Sequence, residues 1–284
     1  MMARKKSLFD LYDMKRKGEK IAWLTSYDYP TAAFAEAAGL DMILVGDSLG
    51  MCVYGYNGTL PVTMEQCLGH CDAVRRGAPN TFVVGDMPFL SYQQSDAAAV
   101  ENAGRFLKEA EVDAVKLEGG VRVAERIRAI SEAGMVAVGH IGLTPQSSGL
   151  LGGHKAQGRT AEAAKLVVQD AVAVERAGAR LILVEAVPPE VTAYISKTLT
   201  IPVLSIGAGL PCDGQLLIVS DLIGQFQAFT PKFVKKYADV AEVITRAMIE
   251  YVKDVKEAKF PGEAHTYRML EGEEAKFLKL MGRA

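Results

Sequence analysis

The chain has 284 residues, 49% of them apolar and 23% charged, a composition that excludes disordered and fibrous classes and allows a large buried core. Its net charge of −2 supplies no bulk attraction for nucleic acid or anionic lipid, so an acidic ligand has to be held by local groups. The length suits either two small domains or one α/β barrel of about 250 residues.

The N-terminal stretch MMARKKSLFDLYDMKRKGEK carries basic residues but no continuous apolar segment. No later run approaches the ~20 apolar residues of a membrane span, and the expectation is a cytoplasmic protein. Residues 7–17 read as an amphipathic helix able to plug the bottom of a barrel. Beyond it, several segments share one plan: a helix ending in Gly or a near substitute, a short link, an apolar β-rich run, then an acid or histidine. AAGLDMILVGD, EAEVDAVKLEG, EAGMVAVGH and RAGARLILVEA follow it, with RRGAPNTFVVGD a looser copy. Gly39, Gly77, Gly134 and Gly178 stand where a helix ends in a positive φ. The apolar runs are too short for helices and are apolar on both faces, as in a parallel sheet covered by helices.

Strands are predicted near 21–27, 42–46, 82–85, 114–118, 136–140, 181–185, 202–206 and 216–219. Helix starts are marked by Pro30, by the capping-box pair Thr63 and Gln66, and by Ser95 and Thr160. Eight strands alternating with helices favour a (β/α)8 TIM-type barrel over a doubly wound sheet. The long Gly-rich connections 48–62 and 141–159 fall at the catalytic end of such a barrel, where lids are found. Residues 231–258 read as helical. The expected organisation is a single barrel domain with its N-terminal helix over residues 1–267 and a charged extension over 268–284. Cys52, Cys67, Cys71 and Cys212 are too few and too irregular for a disulfide framework. Cys67, His70 and Cys71 share a helix face, but no fourth ligand stands at a zinc-site spacing.

Asp28, Asp47, Asp86, Glu118, His140 and Glu185 each close a different strand, and barrel geometry brings six such ends to one mouth. The bland alternative for any one of them is a solvated acid or a helix cap. Several carboxylates in one pocket cannot all stay ionised without a cation. Asp47, Asp86 and Glu118, with no Cys or His, form a donor set for a hard ion, magnesium above all. Such an ion, with open positions, can chelate a 2-oxo acid and stabilise its enolate. Glu185 ends an apolar run, LILVEAVPP, where desolvation favours proton uptake and a general-base role; a further metal ligand or an ion-pair partner is the other reading. Lys116, two residues before Glu118, faces the same side of its strand, to bind a substrate carboxylate, to support the enolate or to balance the acids. His140 can donate a hydrogen bond, shuttle a proton or serve as a core imidazole. The stretch 152–159 and SIGAG at 205–209 match no phosphate-loop fingerprint and read as a flexible lid and close backbone packing.

At these residues the sequence closely resembles the ketopantoate hydroxymethyltransferase family. The resemblance runs from about residue 7 to residue 265 through TSYDYPTA, LVGDSLGM, TLPVT, AVRRGAPN, GDMPF, VKLEGG, GHIGLTPQ, GGHKAQGR, EAVP, IGAG and PKFVKKYA. It implies a barrel of the phosphoenolpyruvate mutase/isocitrate lyase type and a large homo-oligomer, a decamer in the family. It implies Mg2+ on Asp47, Asp86 and Glu118, and contacts to the 2-oxo acid from Asp47, Ser48, Asp86 and Lys116. Glu185 corresponds to the proton acceptor, and His140 lies near the substrate. The implied reaction, in pantothenate biosynthesis, moves a hydroxymethyl group from 5,10-methylenetetrahydrofolate to 3-methyl-2-oxobutanoate through a metal-stabilised enolate, giving 2-dehydropantoate. His154 departs from the Tyr of many members. Two alternatives are a Mg2+-dependent lyase or mutase on the same barrel, whose usual lid resembling KKCGH is absent here, and a non-catalytic barrel that binds a small acid, which has no need of a base.

Overall fold

A computed structural model describes residues 4–282. Eight parallel strands form a closed barrel in sequence order: β1 Ile21–Thr25, β2 Met42–Val45, β3 Phe82–Asp86, β4 Ala114–Glu118, β5 Ala137–Gly142, β6 Leu181–Glu185, β7 Val203–Ile206 and β8 Gly214–Leu217. Closure comes from β8 pairing with both β7 and β1, with Ile21 opposite Gly214. The eighth strand begins two residues before its expected start, and β7 joins it through a short irregular link with no intervening helix. A closed sheet has no free edge, so the chain tolerates one missing crossover helix.

Because strand side chains alternate, the apolar runs feed two separate cores. Ile43, Val83, Val115, Leu117, Ile182 and Val184 point outward and pack against helix residues such as Val74, Phe106, Ile127 and Val174. Their neighbours Met42, Leu44, Phe82, Val84, Ala114, Val138, Leu181 and Leu183 fill the barrel. Each fully buried aliphatic or aromatic side chain contributes about 1.5–3 kcal/mol.

The helix Leu8–Lys17 closes the bottom, as expected. Leu11 is buried among the barrel-filling residues, and the Tyr12 hydroxyl donates to Arg180 O at 2.9 Å, immediately before β6. Lys15 pairs with Asp213 at 2.7 Å, before β8, and Lys5 with Asp113 at 2.6 Å, before β4.

The predicted helix starts are present. Thr63 and Gln66 cap each other reciprocally at 2.9 and 3.2 Å, Ser95 accepts from Ala98 N, Thr160 from Ala163 N, and Pro30 occupies the first turn of Tyr29–Ala37. Gly39, Gly134 and Gly178 have positive φ; Gly77 does not. Gly77 is needed for its size instead, since a Cβ there would lie 2.3 Å from Tyr29 O. Cys67 and Cys71 sit in the apolar core and the ring of His70 is hydrogen-bonded to Tyr27 O and Tyr54, so these three side chains serve packing.

By contact density the chain falls into one compact unit ending at Tyr237 and a second beginning at Ala238. The second contains the helices Val240–Lys256 and Glu273–Leu280. Residues 231–239, expected to be helical, are irregular. No helix among the described residues is long and apolar enough to cross a membrane.

Candidate active site

The inward positions of a strand lie two residues apart, and following them upward shows where apolar filling gives way to chemistry. On β3 the series is Phe82, Val84, Asp86; on β4 it is Ala114, Lys116, Glu118; on β5 it is Val138, His140; on β6 it is Leu181, Leu183, Glu185. Strand register aligns them, with Asp86 opposite Lys116 and Glu118 opposite His140. Asp47 follows the end of β2, where its backbone N–H donates to Asp86 Oδ2 at 2.9 Å. Asp47, Asp86, Lys116, Glu118, His140, Leu183 and Glu185 line one cavity of about 660 Å3 at the C-terminal end of the barrel. Met51, Cys52, Asn57 and Thr59 from the first long loop and Leu143, Pro145, His154 and Ala156 from the second form part of its wall.

Asp47, Asp86 and Glu118 are buried, and one carboxylate oxygen from each lies within 4.8 Å of the others. Lys116, itself buried, places Nζ 2.9 Å from Asp86 Oδ1 and 3.3 Å from Glu118 Oε1. Burial would depress the Lys116 ammonium, but Asp86, Glu118 and Asp47 outweigh it and hold the group firmly protonated. Burial likewise works against Glu118, yet Lys116 and His140 hold its carboxyl down at about 2. Asp47 goes the other way: burial, then Asp86 and Glu118, push it well above the usual carboxylate range, and burial also raises Asp86. His140 Nδ1 is 3.2 Å from Lys116 Nζ and 3.3 Å from Glu118 Oε1, while Nε2 is 3.1 Å from Glu185 Oε2. Burial and Lys116 lower the imidazole, but Glu118 and Glu185 raise it to about 9. The Glu185 side chain is 15% exposed against 1% for Asp86, so of the acids lining the cavity it is more open to it than Asp86.

The donor set fits a divalent cation. Asp86 Oδ1 is paired with the Lys116 ammonium at 2.9 Å and has no further donor among the described residues. Burial, then the neighbouring Asp86 and Glu118, raise Asp47, and three carboxylates gathered around one ammonium leave a deficit of positive charge that a cation would fill. Hard oxygen donors suit Mg2+.

Asp28 does not join the site. Strand β1 ends at Thr25, the side chain of Asp28 is exposed, and it accepts from Thr31 N at 2.8 Å as the cap of the next helix. Thr25 lines the cavity instead. Ser48 lies at the cavity with Oγ 2.8 Å from the Tyr27 hydroxyl.

Two supporting residues escaped the strand-end pattern because they sit on loops. Gln146 donates from Nε2 to Asp47 Oδ2 at 2.9 Å and to Met87 O at 3.0 Å, and its backbone N–H donates to Glu118 Oε2 at 2.9 Å. The Tyr92 hydroxyl donates to Gln146 Oε1 at 2.7 Å and accepts from Glu118 N at 3.0 Å. A glutamine directly after Pro145, in the loop that follows the His140 strand, was the available signal. Gln146→Leu is expected to lower stability by about 1–3 kcal/mol, since it strips a buried carboxylate and a carbonyl of their donor. Chemical denaturation checks this, and an unchanged midpoint would show that Gln146 carries no part of the support.

The ketopantoate hydroxymethyltransferase family model matches residues 5–263. A 3-methyl-2-oxobutanoate hydroxymethyltransferase of Alkaliphilus metalliredigens is 64% identical over 273 residues, 96% of each chain. One of Geobacillus kaustophilus is 51% identical over 94% of this chain and 96% of its own. Among solved structures, a phosphonopyruvate hydrolase complex with oxalate and Mg2+ superposes with a TM-score of 0.60 at 13% identity, covering 98% of this chain and 95% of that one. A 2,3-dimethylmalate lyase of the PEP mutase/isocitrate lyase superfamily gives 0.58 at 17%, covering 97% and 98%. At those identities the two structures establish the shared barrel alone. Family match, near full-length identity and barrel together establish that this chain is an enzyme of the ketopantoate hydroxymethyltransferase family.

Proposed function

We propose that the chain transfers a hydroxymethyl group from 5,10-methylenetetrahydrofolate to C3 of 3-methyl-2-oxobutanoate, giving 2-dehydropantoate. The observation that carries this reading is the convergence of three buried carboxylates within 4.8 Å beside a cavity-facing glutamate, in a chain so similar to enzymes named for this substrate. Asp47, Asp86 and Glu118 would hold Mg2+. When bound, the cation supplies positive charge beside the keto oxygen and so acidifies the C3 hydrogen.

The chain's own groups do the rest. Lys116 and Ser48 bind and orient the 2-oxo acid, with Ser48 steadied by Tyr27. Glu185 accepts the C3 proton, and the His140 imidazole, with Nε2 3.1 Å from Glu185 Oε2, positions that carboxylate. The C3–H bond breaks towards Glu185, and its electrons form the new bond to the one-carbon unit. Over the whole reaction the methylene carbon exchanges its two bonds to folate nitrogens for one to C3 and one to an oxygen supplied by water, and tetrahydrofolate leaves. Consistent with the family resemblance, we place this activity in the cytoplasm and in a homo-oligomer, a decamer.

The test is product formation from the two substrates, with Mg2+ present and after chelation. 2-Dehydropantoate is expected only with Mg2+. No product with Mg2+ would overturn the reading, and full activity after chelation would remove the metal from it.

A further inference from the structure

The cavity is larger than a five-carbon oxo acid requires; its volume of about 660 Å3 falls in the range of sites for drug-sized ligands. The carboxylate cluster, Lys116, His140 and Glu185 occupy the side built by β2 to β6. Across the mouth, the side built by β7, β8 and β1 is different in kind. It is walled by Phe226, Phe229 and Phe233 with Ile206 and Ile218, and one acid, Asp221, lies among them.

Asp221 follows β8 on the short helix Val219–Leu222 and is 7% exposed. Its carboxylate makes no hydrogen bond or ion pair with any described residue, although the side chain lines the cavity; Lys236 attracts it only from a distance and burial raises it. Next to it, Ser220 Oγ is buried and also without a partner. A carboxylate that faces the cavity without a donor from the protein has to receive donors from any ligand that displaces the water there. Around it the aromatic groups are set in place: the Phe226 and Phe229 rings meet edge to face at 5.3 Å and 87°. Phe233 lies against Gly207, where a Cβ would come within 2.5 Å of its Cδ1. The segment SIGAG thereby provides the close backbone packing that lets this ring reach the mouth.

A flat aromatic ligand with two adjacent N–H donors on one edge matches this arrangement. The 2-amino-4-oxopyrimidine edge of a pterin offers such a pair, N3–H and the 2-amino group, and its ring suits a phenylalanine wall. We propose that Asp221 is the residue that recognises the pterin of the one-carbon donor, accepting hydrogen bonds from N3–H and the 2-amino group while Phe226, Phe229 and Phe233 enclose the ring. This rests on the reading of methylenetetrahydrofolate as co-substrate, and it places donor and acceptor on opposite walls of one cavity, with the transferred carbon between them.

The experiment is calorimetric binding of tetrahydrofolate, and of its analogue with the 2-amino group replaced by methyl, to wild type and to Asp221→Asn. Wild type is expected to bind the analogue about 10- to 100-fold more weakly than tetrahydrofolate, because the analogue keeps N3–H but loses the second of the two donors to the carboxylate. In Asp221→Asn, tetrahydrofolate affinity falls by a similar factor and the discrimination between the two ligands collapses. Under steady-state conditions the variant's KM for methylenetetrahydrofolate rises about 10-fold or more, while the KM for 3-methyl-2-oxobutanoate moves less than about 2-fold. A merely structural role would weaken both ligands alike and leave their ratio intact, which overturns the proposal, as does unchanged tetrahydrofolate affinity. Absence of any tetrahydrofolate binding to wild type is a different result: it removes the folate reading itself, and the Asp221 assignment with it.

Discussion

Asp86→Asn is expected to lower kcat/KM by about 1,000-fold and to abolish stabilisation by Mg2+. The substitution keeps the shape of the side chain and removes its charge. Asp86 is the acid nearest Lys116, at 2.9 Å, and one of the three whose oxygens gather within 4.8 Å. Losing one group that stabilises developing charge in a water-poor site costs about 10²–10³ in turnover, and loss of a cation ligand adds to that. The same variant leaves Lys116 buried with one fewer counter-charge; breaking a buried pair costs about 3–5 kcal/mol when the partner stays charged. In wild type, Mg2+ at about 100 times its Kd is expected to add about 2.7 kcal/mol of stability by mass action. Thermal unfolding with and without Mg2+ measures both effects. An equal Mg2+-dependent rise in Tm for wild type and Asp86→Asn would remove Asp86 from the cation site, and near-normal kcat/KM would remove it from the chemistry.

Glu185→Gln is expected to slow deuterium exchange at C3 of 3-methyl-2-oxobutanoate by about 10²–10⁴-fold, the usual worth of a positioned general base. The exchange reaction needs no one-carbon donor, so it isolates the proton step. Glutamine keeps the side chain's size and its neighbour, since Glu185 Oε2 lies 3.1 Å from His140 Nε2, but it cannot take up a proton. Binding of the 2-oxo acid is expected to change far less, because Lys116, Ser48 and the carboxylate cluster are on or directly after other strands. NMR loss of the C3 proton signal in deuterated water follows the rate directly. Exchange at the wild-type rate in Glu185→Gln would exclude that residue as the base.

Both predictions depend on residues legible from strand periodicity. Asp86, Lys116, Glu118, His140 and Glu185 each continue an inward series of every second residue, so their convergence follows from the closure of the barrel. Asp28 shows the limit of that logic. It stands at the same point of the repeat as the others, but β1 stops at Thr25, and the two residues between, Ser26 and Tyr27, carry Asp28 out to cap a helix. A cap and a site acid look alike in sequence because both follow an apolar run and precede a helix. Gln146 and Tyr92 were invisible to the pattern for a related reason: loop residues have no period that says which way they point.

The sequence by itself determined the eight-strand order, the helix starts at Thr63, Ser95 and Thr160, and the inward-facing acids on β3, β4 and β6, because local periodicity and capping chemistry act over a few neighbouring residues. Only the tertiary structure decided that β7 joins β8 without a helix, that Gln146 holds Asp47 and Glu118 together, and that Asp221 and three phenylalanines from beyond β8 face the carboxylates across one cavity. Those facts depend on where distant segments meet once the barrel closes, and closure brings β8 beside β1, nearly two hundred residues apart in the chain, a juxtaposition that no local pattern encodes.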